Sequence, residues 1–228
     1  MYSQTKIAIP ILREDKASIL EEAEKSIIRG ADLIELRIDG IKNPTPELVS
    51  EIIDEINFPT IATNRLEAEG GFFKGSEEER IGILEEAAKK ADYVDIELQT
   101  KKEDIEKITS KKAKSIISYH NFNKTPSLDE ILEIINKEKE LGDIAKVALM
   151  PNSLEDTLTV LTVLSYCEDT IAISMGDIGS YTRVIASKFN APITFAVSND
   201  TTAPGQIDIE TMKLLLHNDL IELDSLKQ

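Results

Sequence analysis

The chain has 228 residues, with 42 acidic against 26 basic side chains, so its formal net charge is −16. This acidic balance argues against nucleic acid or an anionic membrane as a partner, because both bind basic surfaces. Apolar residues make up 41% of the chain, enough to bury a core. A single cysteine, Cys167, excludes an internal disulfide, and no segment resembles a signal peptide or a membrane span. We therefore expect a cytoplasmic globular protein.

Eight short apolar segments recur along the whole chain at intervals of 22 to 32 residues. They begin at Lys6, Asp32, Thr60, Asp92, Ser115, Asp143, Thr170 and Pro192. Near-continuous apolar runs of this length are typical of strands in a parallel sheet whose two faces are both covered. The sequence therefore predicts eight buried strands.

Charge-rich segments of helical period lie between these strands, for example residues 16–30, 76–90 and 125–142. Ser76 is followed by Glu79 in the pattern of a capping box, and Ser127 precedes two acidic residues, which suits a helix N-terminus. Gly30 and Gly142 each come just after a helical segment, so we expect left-handed C-caps at both.

Eight strand–helix units favour closure into a (β/α)8 barrel, since open doubly wound sheets usually have fewer strands. No linker or change in composition divides the chain, which predicts one domain over residues 1–228. Barrels of this kind carry their functional groups at the carboxyl ends of the strands. Polar residues inside the apolar strands are therefore the candidates for function.

Two strands carry pairs of charged residues on the face that points into the barrel. Glu35 and Arg37 alternate with apolar residues in the second strand, as Asp95 and Glu97 do in the fourth. Burying such charges is costly unless they are paired. A structural ion pair and a bound polar ligand both explain the first pair, and the second pair could contact either a ligand or its binding residues.

The sixth strand contains Lys146 within the apolar run IAKVALM. A desolvated lysine near positive charge is a nucleophile that can form a Schiff base; the structural alternative is a pair with Asp95 or Glu97. His120 ends the neighbouring fifth strand, where it would be placed for proton transfer. The other histidine, His217, lies on the last helix and is expected to be a surface or packing residue.

Arginine is scarce, and three of the six arginines stand at the ends of predicted strands or just beyond them: Arg37, Arg65 and Arg183. Arginine suits bidentate recognition of a carboxylate, so this cluster in an acidic protein predicts a small anionic substrate. Two loops, at residues 69–71 and 201–206, contain the glycines of flexible segments, and the second could close as a lid. No phosphate-binding glycine motif is present, and with only two histidines we expect no metal site.

Several motifs occur in a characteristic order along the chain. They are Glu35-Leu36-Arg37, Arg65 with Glu69-Gly70-Gly71, SYHNF at 118–122, Lys146 in AKVALMP, SMGDIGSYTR ending at Arg183, and APGQI at 203–207. Together they resemble the type I 3-dehydroquinate dehydratase family, from the first strand to the last helix. The histidine, lysine and APGQ segments are specific in combination.

The resemblance implies a (β/α)8 barrel that dehydrates 3-dehydroquinate to 3-dehydroshikimate in the shikimate pathway, without metal or organic cofactor. Lys146 would form the imine with the substrate ketone, and His120 would act as general base and acid, oriented by Glu69. The matching substrate-binding positions are Arg183, Gln206 and Thr202 for the carboxylate, and Glu35, Arg37 and Arg65 for the ring hydroxyls.

The chain departs from the family pattern in two ways. Related enzymes often carry a β-hairpin before the first strand that covers the bottom of the barrel, and here that hairpin is expected to be missing or reduced. Thr182 and Thr202 stand where serine is common, and both keep the hydroxyl. The family also implies a homodimer.

Two other functions remain open from the residues alone. Another Schiff-base lyase, such as a class I aldolase, would retain Lys146 but would release an aldehyde. It would also be expected to have a phosphate-binding site, and the sequence contains no motif for one. A non-catalytic barrel that binds a small acid or a protein would use Lys146 and His120 only as structural residues.

Overall fold

Parallel strands alternate with helices along the residues that the structure, a computed structural model, describes: 5–198 and 205–217. The strands are β1 (Lys6–Ile11), β2 (Leu33–Arg37), β3 (Thr60–Thr63), β4 (Tyr93–Glu97), β5 (Lys114–Asn121), β6 (Ile144–Leu149), β7 (Thr170–Ser174), β8 (Ile193–Val197) and the two-residue β9 (Ile207–Asp208). The helices are α1 (Lys16–Ile28), α2 (Pro46–Ile56), α3 (Glu77–Ala87), α4 (Lys102–Thr109), α5 (Leu128–Leu141), α6 (Leu154–Tyr166), α7 (Gly176–Gly179), α8 (Thr182–Ile185) and α9 (Ile209–His217). All eight predicted strands are confirmed.

The strands form one curled parallel sheet in the order β7-β6-β5-β4-β3-β2-β1-β8-β9. The last long strand pairs with the first, with Ala8 opposite Phe195, and inward side chains of β7 and β8 meet in one apolar cluster with those of β1, β2, β3, β5 and β6. The predicted α/β barrel is thus confirmed in strand number, direction and order.

The barrel has a seam between β7 and β8, because within the described residues no ladder of backbone hydrogen bonds joins these two strands. The connection between them takes part of the hydrogen bonding there. The Ser174 N–H donates to the Thr182 hydroxyl at 3.2 Å, and the Thr194 hydroxyl donates to the Arg183 carbonyl at 2.8 Å. Side-chain contacts with α8 therefore replace strand pairing at this point.

Side chains alternate along each strand between the barrel interior and the helix layer, as expected for a pleated strand. In β2, Ile34 and Leu36 pack outward against the helices, whereas Leu33 belongs to the interior cluster. In β6, Ala145 and Val147 pack outward. The residues between them, Glu35 and Lys146 among them, therefore face the interior.

The predicted helix ends are confirmed at three of four positions. Ser76 and Ser127 each form a capping box, with Glu79 and Glu130 respectively, and Gly30 has a φ of 98° just after α1. Gly142 was expected to be left-handed and this was wrong.

Gly142 has an extended backbone, with φ of −153° and ψ of −178°. Its need for glycine comes from packing instead: a Cβ there would lie 2.6 Å from Cγ1 of Ile117 and 2.9 Å from Oγ of Ser115. The chain turns directly from α5 into β6 against the neighbouring strand, and only glycine fits this approach.

The first element of the described chain is β1, so no hairpin precedes it within residues 5–198. His217 ends α9, as expected of the last helix. No helix of the described ranges has both the length and the apolar character needed to cross a bilayer.

Candidate active site

A pocket lies at the carboxyl ends of the strands, where the barrel architecture predicts functional groups. Its polar lining is formed by Glu35, Arg37, Arg65, Glu69, His120, Lys146, Arg183 and Gln206. These are eight of the nine predicted site residues; the ninth, Thr202, lies outside the described residues. Apolar side chains from the strands, including Ile173 and Phe195, complete the wall.

Lys146 lies on β6 and is 4% exposed. Its Nζ lies 2.7 Å from Oδ2 of Asp95, 3.9 Å from Oε1 of Glu35 and 4.4 Å from the ring centroid of Phe195. Glu35 also accepts a hydrogen bond from the Thr63 hydroxyl at 2.9 Å. The pairing with Asp95 that the sequence suggested is therefore formed, and the amine still borders the pocket.

The backbone of Lys146 is held by a carboxyl group from the helix layer. Oε2 of Glu138, on α5, accepts the Lys146 backbone N–H at 3.1 Å, while the buried Oε1 has no hydrogen-bond partner among the described residues. Burial raises the pKa of Glu138 well above its usual range. The sequence gives no sign of this contact, because Glu138 belongs to the run KEKEL and resembles a solvated helix surface.

His120 and Glu69 form a close pair at the rim of the pocket. Oε2 of Glu69 lies 2.8 Å from Nδ1 of His120 and accepts its backbone N–H at 3.0 Å, and Oε1 accepts from Nε2 of Gln99 at 2.9 Å. Burial lowers the pKa of His120 well below its usual value and raises that of Glu69 to about 7. A neutral ring held through Nδ1 directs its basic Nε2 to other partners.

The loop that carries Glu69 depends on two glycines. A 3-10 helix spans Glu67–Glu69, and Gly70 follows it with a φ of 80°. A Cβ on Gly71 would lie 1.9 Å from the carbonyl oxygen of Arg65. The predicted flexible segment is therefore a tight turn that fixes Glu69 against His120.

Arg65 lies in the floor of the pocket and is surrounded by carboxylates. Its guanidinium lies 2.7 Å from Asp95 and 2.9 Å from Glu97, and donates to the Ser118 hydroxyl at 2.7 Å. Burial opposes the charge of Arg65, but the two carboxylates outweigh it and raise the pKa above its usual range. Burial likewise opposes the charge of Asp95, whose pKa is nevertheless held well below normal by Arg65 and Lys146.

Arg37 forms its ion pair with Asp39 instead of Glu35. Nε and Nη2 of Arg37 lie 2.8 and 2.7 Å from the two oxygens of Asp39. Asp39 also accepts the backbone N–H groups of Arg65 at 3.3 Å and Phe72 at 3.1 Å. Asp39 thus links two pocket segments, and its position two residues after Arg37 is the signal that could have identified it.

Arg183 faces the pocket from the seam side and is 2% exposed. Its Nε donates to the carbonyl of Gly205 at 3.1 Å, and burial lowers its pKa to about 10. Gly205 has a φ of 71°, and a Cβ there would lie 2.0 Å from the Gly176 carbonyl oxygen. This close approach brings Gln206, the next residue, to the pocket beside Arg183.

The pocket combines an amine, a histidine–glutamate pair and three guanidinium groups within a buried space. Within the two described ranges, no cluster of three or more His, Cys, Asp or Glu side chains could hold a metal ion. The fold and the site define a parallel α/β barrel with a lysine and a histidine in a pocket that three guanidinium groups line.

Comparison with known proteins identifies the family. The model of the type I 3-dehydroquinase family matches residues 7–222. Proteins named 3-dehydroquinate dehydratase from Methanobrevibacter smithii and Methanothermobacter thermautotrophicus are 61% and 51% identical; the alignments cover 96% and 93% of this chain and 98% and 96% of theirs. The chain belongs to the type I 3-dehydroquinase family and is a hydro-lyase, EC 4.2.1.10.

Solved structures agree with this assignment. The 3-dehydroquinate dehydratase of Geobacillus kaustophilus superposes with a TM-score of 0.88 at 29% identity, covering 99% of this chain and 93% of that one. The type I enzyme of Clostridium difficile, solved with covalently modified comenic acid, gives a TM-score of 0.87 at 30% identity over 94% and 91% of the two chains. The barrel is therefore shared with this family over nearly its whole length.

Proposed function

We propose that the chain converts 3-dehydroquinate to 3-dehydroshikimate and water through an imine on Lys146, with His120 as general base and acid. The observation that carries this proposal is the single buried pocket that Lys146, His120 and Arg183 share. The names of the relatives support the choice of substrate.

The first step joins the amine of Lys146 to the substrate ketone. The unprotonated Nζ attacks the carbonyl carbon, a C–N bond forms, and the carbinolamine loses water to give an iminium ion. Asp95, at 2.7 Å from Nζ, balances the positive charge of both the ammonium and the iminium form. The iminium withdraws electrons, so the proton on the adjacent carbon becomes acidic.

His120 performs the second step. Its neutral Nε2 takes that proton and the electron pair of the C–H bond forms an enamine. The enamine then expels the hydroxyl of the next carbon, which leaves as water with the proton from His120. Hydrolysis of the remaining imine releases the product and restores the Lys146 amine, so atoms and protons balance over the cycle.

The remaining polar groups bind the substrate. Arg183 and Gln206, together with Thr202, are proposed to hold the carboxylate, since a buried guanidinium binds a planar anion well. Glu35, Arg37 and Arg65 are proposed to hold the ring hydroxyls. Arg37 and Arg65 are already fixed by ion pairs with Asp39 and Asp95, so little ordering remains to be done on binding.

The test is intact mass after incubation with 3-dehydroquinate and borohydride, followed by peptide mapping. We expect a reduced adduct on Lys146, partly with the mass of the dehydrated product. An adduct without loss of water and with release of an aldehyde would favour an aldolase. A folded protein that gives no adduct would reject the imine mechanism.

We also propose that the enzyme is a cytoplasmic homodimer that associates through α6. Residues 157–166 include no charged side chain in a protein of net charge −16, and Leu154, Leu158 and Tyr166 are more than half exposed. Near a two-fold axis each residue lies against its own copy, so a charged residue there would face a like charge. The uncharged face of α6 avoids this repulsion.

Light scattering after size exclusion tests the dimer. We expect a dimer for the native chain and a monomer for Leu158→Glu, whereas Ile28→Glu, at an even more exposed apolar position on α1 (78% against 53%), should remain dimeric. A native monomer would reject the proposal, and a dimer that survives Leu158→Glu would place the interface elsewhere.

A further inference from the structure

Arg80 is a fully buried arginine that lies outside the active-site pocket. It belongs to α3, in the helix layer, and its side chain is among the largest that are completely buried. The segment EEERIGILEEAAKK resembles an exposed, charged helix, so the sequence does not predict this burial. Burying a guanidinium is costly unless its N–H donors find hydrogen-bond acceptors and its charge is paired.

The donors of Arg80 connect the helix layer to the barrel interior. On the outer side, Nε and Nη2 each lie 2.7 Å from an oxygen of Glu77. On the inner side, Nη1 donates to Oε2 of Glu97 at 2.7 Å and to the Asn64 carbonyl at 3.0 Å, while Nη2 donates to the Thr100 hydroxyl at 2.9 Å. The contact with Glu97 is the one that leads to the site.

Glu97 is shared between two arginines, one on each side of the sheet. Its Oε1 accepts from Arg65 at 2.9 Å, and its Oε2 accepts from Arg80. Arg65 in turn lies 2.7 Å from Oδ1 of Asp95, and Oδ2 of Asp95 lies 2.7 Å from Nζ of Lys146. Charges of alternating sign therefore run without a break from α3 to the reactive amine.

Every side chain in this series of charges is buried, so little solvent screens one charge from the next. The side chains of Arg80 and Glu97 are each 1% exposed, that of Arg65 is 4%, and that of Lys146 is 5%. In such surroundings hydrogen-bonded charges polarise one another, and a change at one end is felt along the series.

We propose that Arg80 is a positioning residue that controls the protonation and placement of the Lys146 amine through the two carboxylates of β4, Asp95 and Glu97. The proposal rests on the proposed function only in giving that amine its catalytic role. The chemistry at Lys146 needs the neutral amine, and Arg80 supplies a positive charge that keeps Glu97 from drawing Arg65 away from Asp95.

The sign of the effect follows from the charges around Lys146. The titratable and charged groups that face it are Asp95, Glu35, Arg65, Arg37, Arg183, His120, Glu69 and, behind its backbone, Glu138. Without Arg80, Glu97 carries more uncompensated charge and competes with Asp95 for Arg65. Asp95 then binds the ammonium form of Lys146 more strongly, and the reactive amine appears at higher pH.

Competitive labelling with acetic anhydride, followed by peptide mapping, measures this directly and needs no substrate. We expect Arg80→Met to move the pH midpoint of Lys146 acetylation upward by about half a pH unit or more. Arg80→Lys, which keeps the charge, should leave the midpoint close to that of the native chain. Glu77→Gln removes only the partly exposed partner of Arg80 and serves as the matched control, with no shift expected.

A structural role alone would lower the unfolding temperature of Arg80→Met and leave the labelling midpoint in place; that result overturns the proposal. If Arg80→Met does not fold, Arg80→Gln takes its place, and an equal shift in Arg80→Lys would also overturn the role of the charge. Failure of the native chain to trap 3-dehydroquinate would reject the imine mechanism without touching the labelling result, so the two failures remain distinguishable.

Discussion

The electrostatic surroundings of the arginines differ between the two sides of the pocket. Arg65, on the side of β4, is surrounded by carboxylates that raise its pKa above the usual range, whereas burial lowers the pKa of Arg183, beside the seam, to about 10. An arginine that is already paired with carboxylates gains little free energy from an anionic ligand. An arginine whose charged form is destabilised by burial gains much more. This difference supports the proposals that Arg183 binds the substrate carboxylate and that Arg65 is already held in place by its carboxylates when it meets the ring hydroxyls.

The largest expected effect comes from removing the Lys146 amine, which pairs with Asp95 of β4. Lys146→Ala should abolish imine formation and lower kcat/KM by roughly 10⁴-fold or more, because no other described residue that lines the pocket carries an amine. Steady-state assays and borohydride trapping measure both. Turnover at the native rate would refute covalent catalysis and make Lys146 a structural partner of Asp95.

Replacing His120 should separate the two chemical steps. His120→Ala is expected to form the imine but to lower kcat by roughly 10²–10⁴-fold, as for loss of a general base. Trapping the variant with borohydride should give a Lys146 adduct that retains the mass of the undehydrated substrate. Absence of any adduct would show that His120 is also needed for imine formation.

Arg183→Ala tests the seam side by itself. Loss of a charged hydrogen bond to the carboxylate should weaken binding by roughly 1.5–3 kcal/mol, which appears mainly as a higher KM. Arg183→Lys should recover part of the loss because it keeps the charge without the planar geometry. Unchanged KM and kcat in Arg183→Ala would remove it from the site.

The smallest effect concerns the pH dependence of the Glu69–His120 pair. The pKa of Glu69 is raised to about 7, so the carboxyl is increasingly protonated as the pH falls through that value. A protonated Glu69 is a weaker acceptor for Nδ1 of His120 and no longer carries the charge that stabilises the imidazolium, so we expect kcat/KM to decline below about pH 7. Glu69→Gln should be slower but lack this inflection; an unchanged inflection in that variant would assign it to another group.

Individual residues show which features of the site the sequence predicted and which it did not. Alternation in β2 and β6 placed Glu35 and Lys146 on the inner face, and the structure brings eight predicted site residues to one pocket. The partner of Arg37, the contact of Glu138 with the Lys146 backbone and the burial of Arg80 were not foreseen. Each of these depends on which element packs beside which, and no local pattern records it.

The sequence by itself determined the eight strands, their inward faces and three of the four predicted helix ends, because periodicity and capping are local properties of neighbouring residues. Only the tertiary structure decided the seam between β7 and β8, the extended backbone of Gly142 and the choice of ion-pair partners. A charged side chain pairs with an opposite charge that lies within about 3–4 Å. In a barrel, such neighbours come from distant parts of the sequence. The series of charges from Arg80 to Lys146 therefore exists only because the fold brings these residues together.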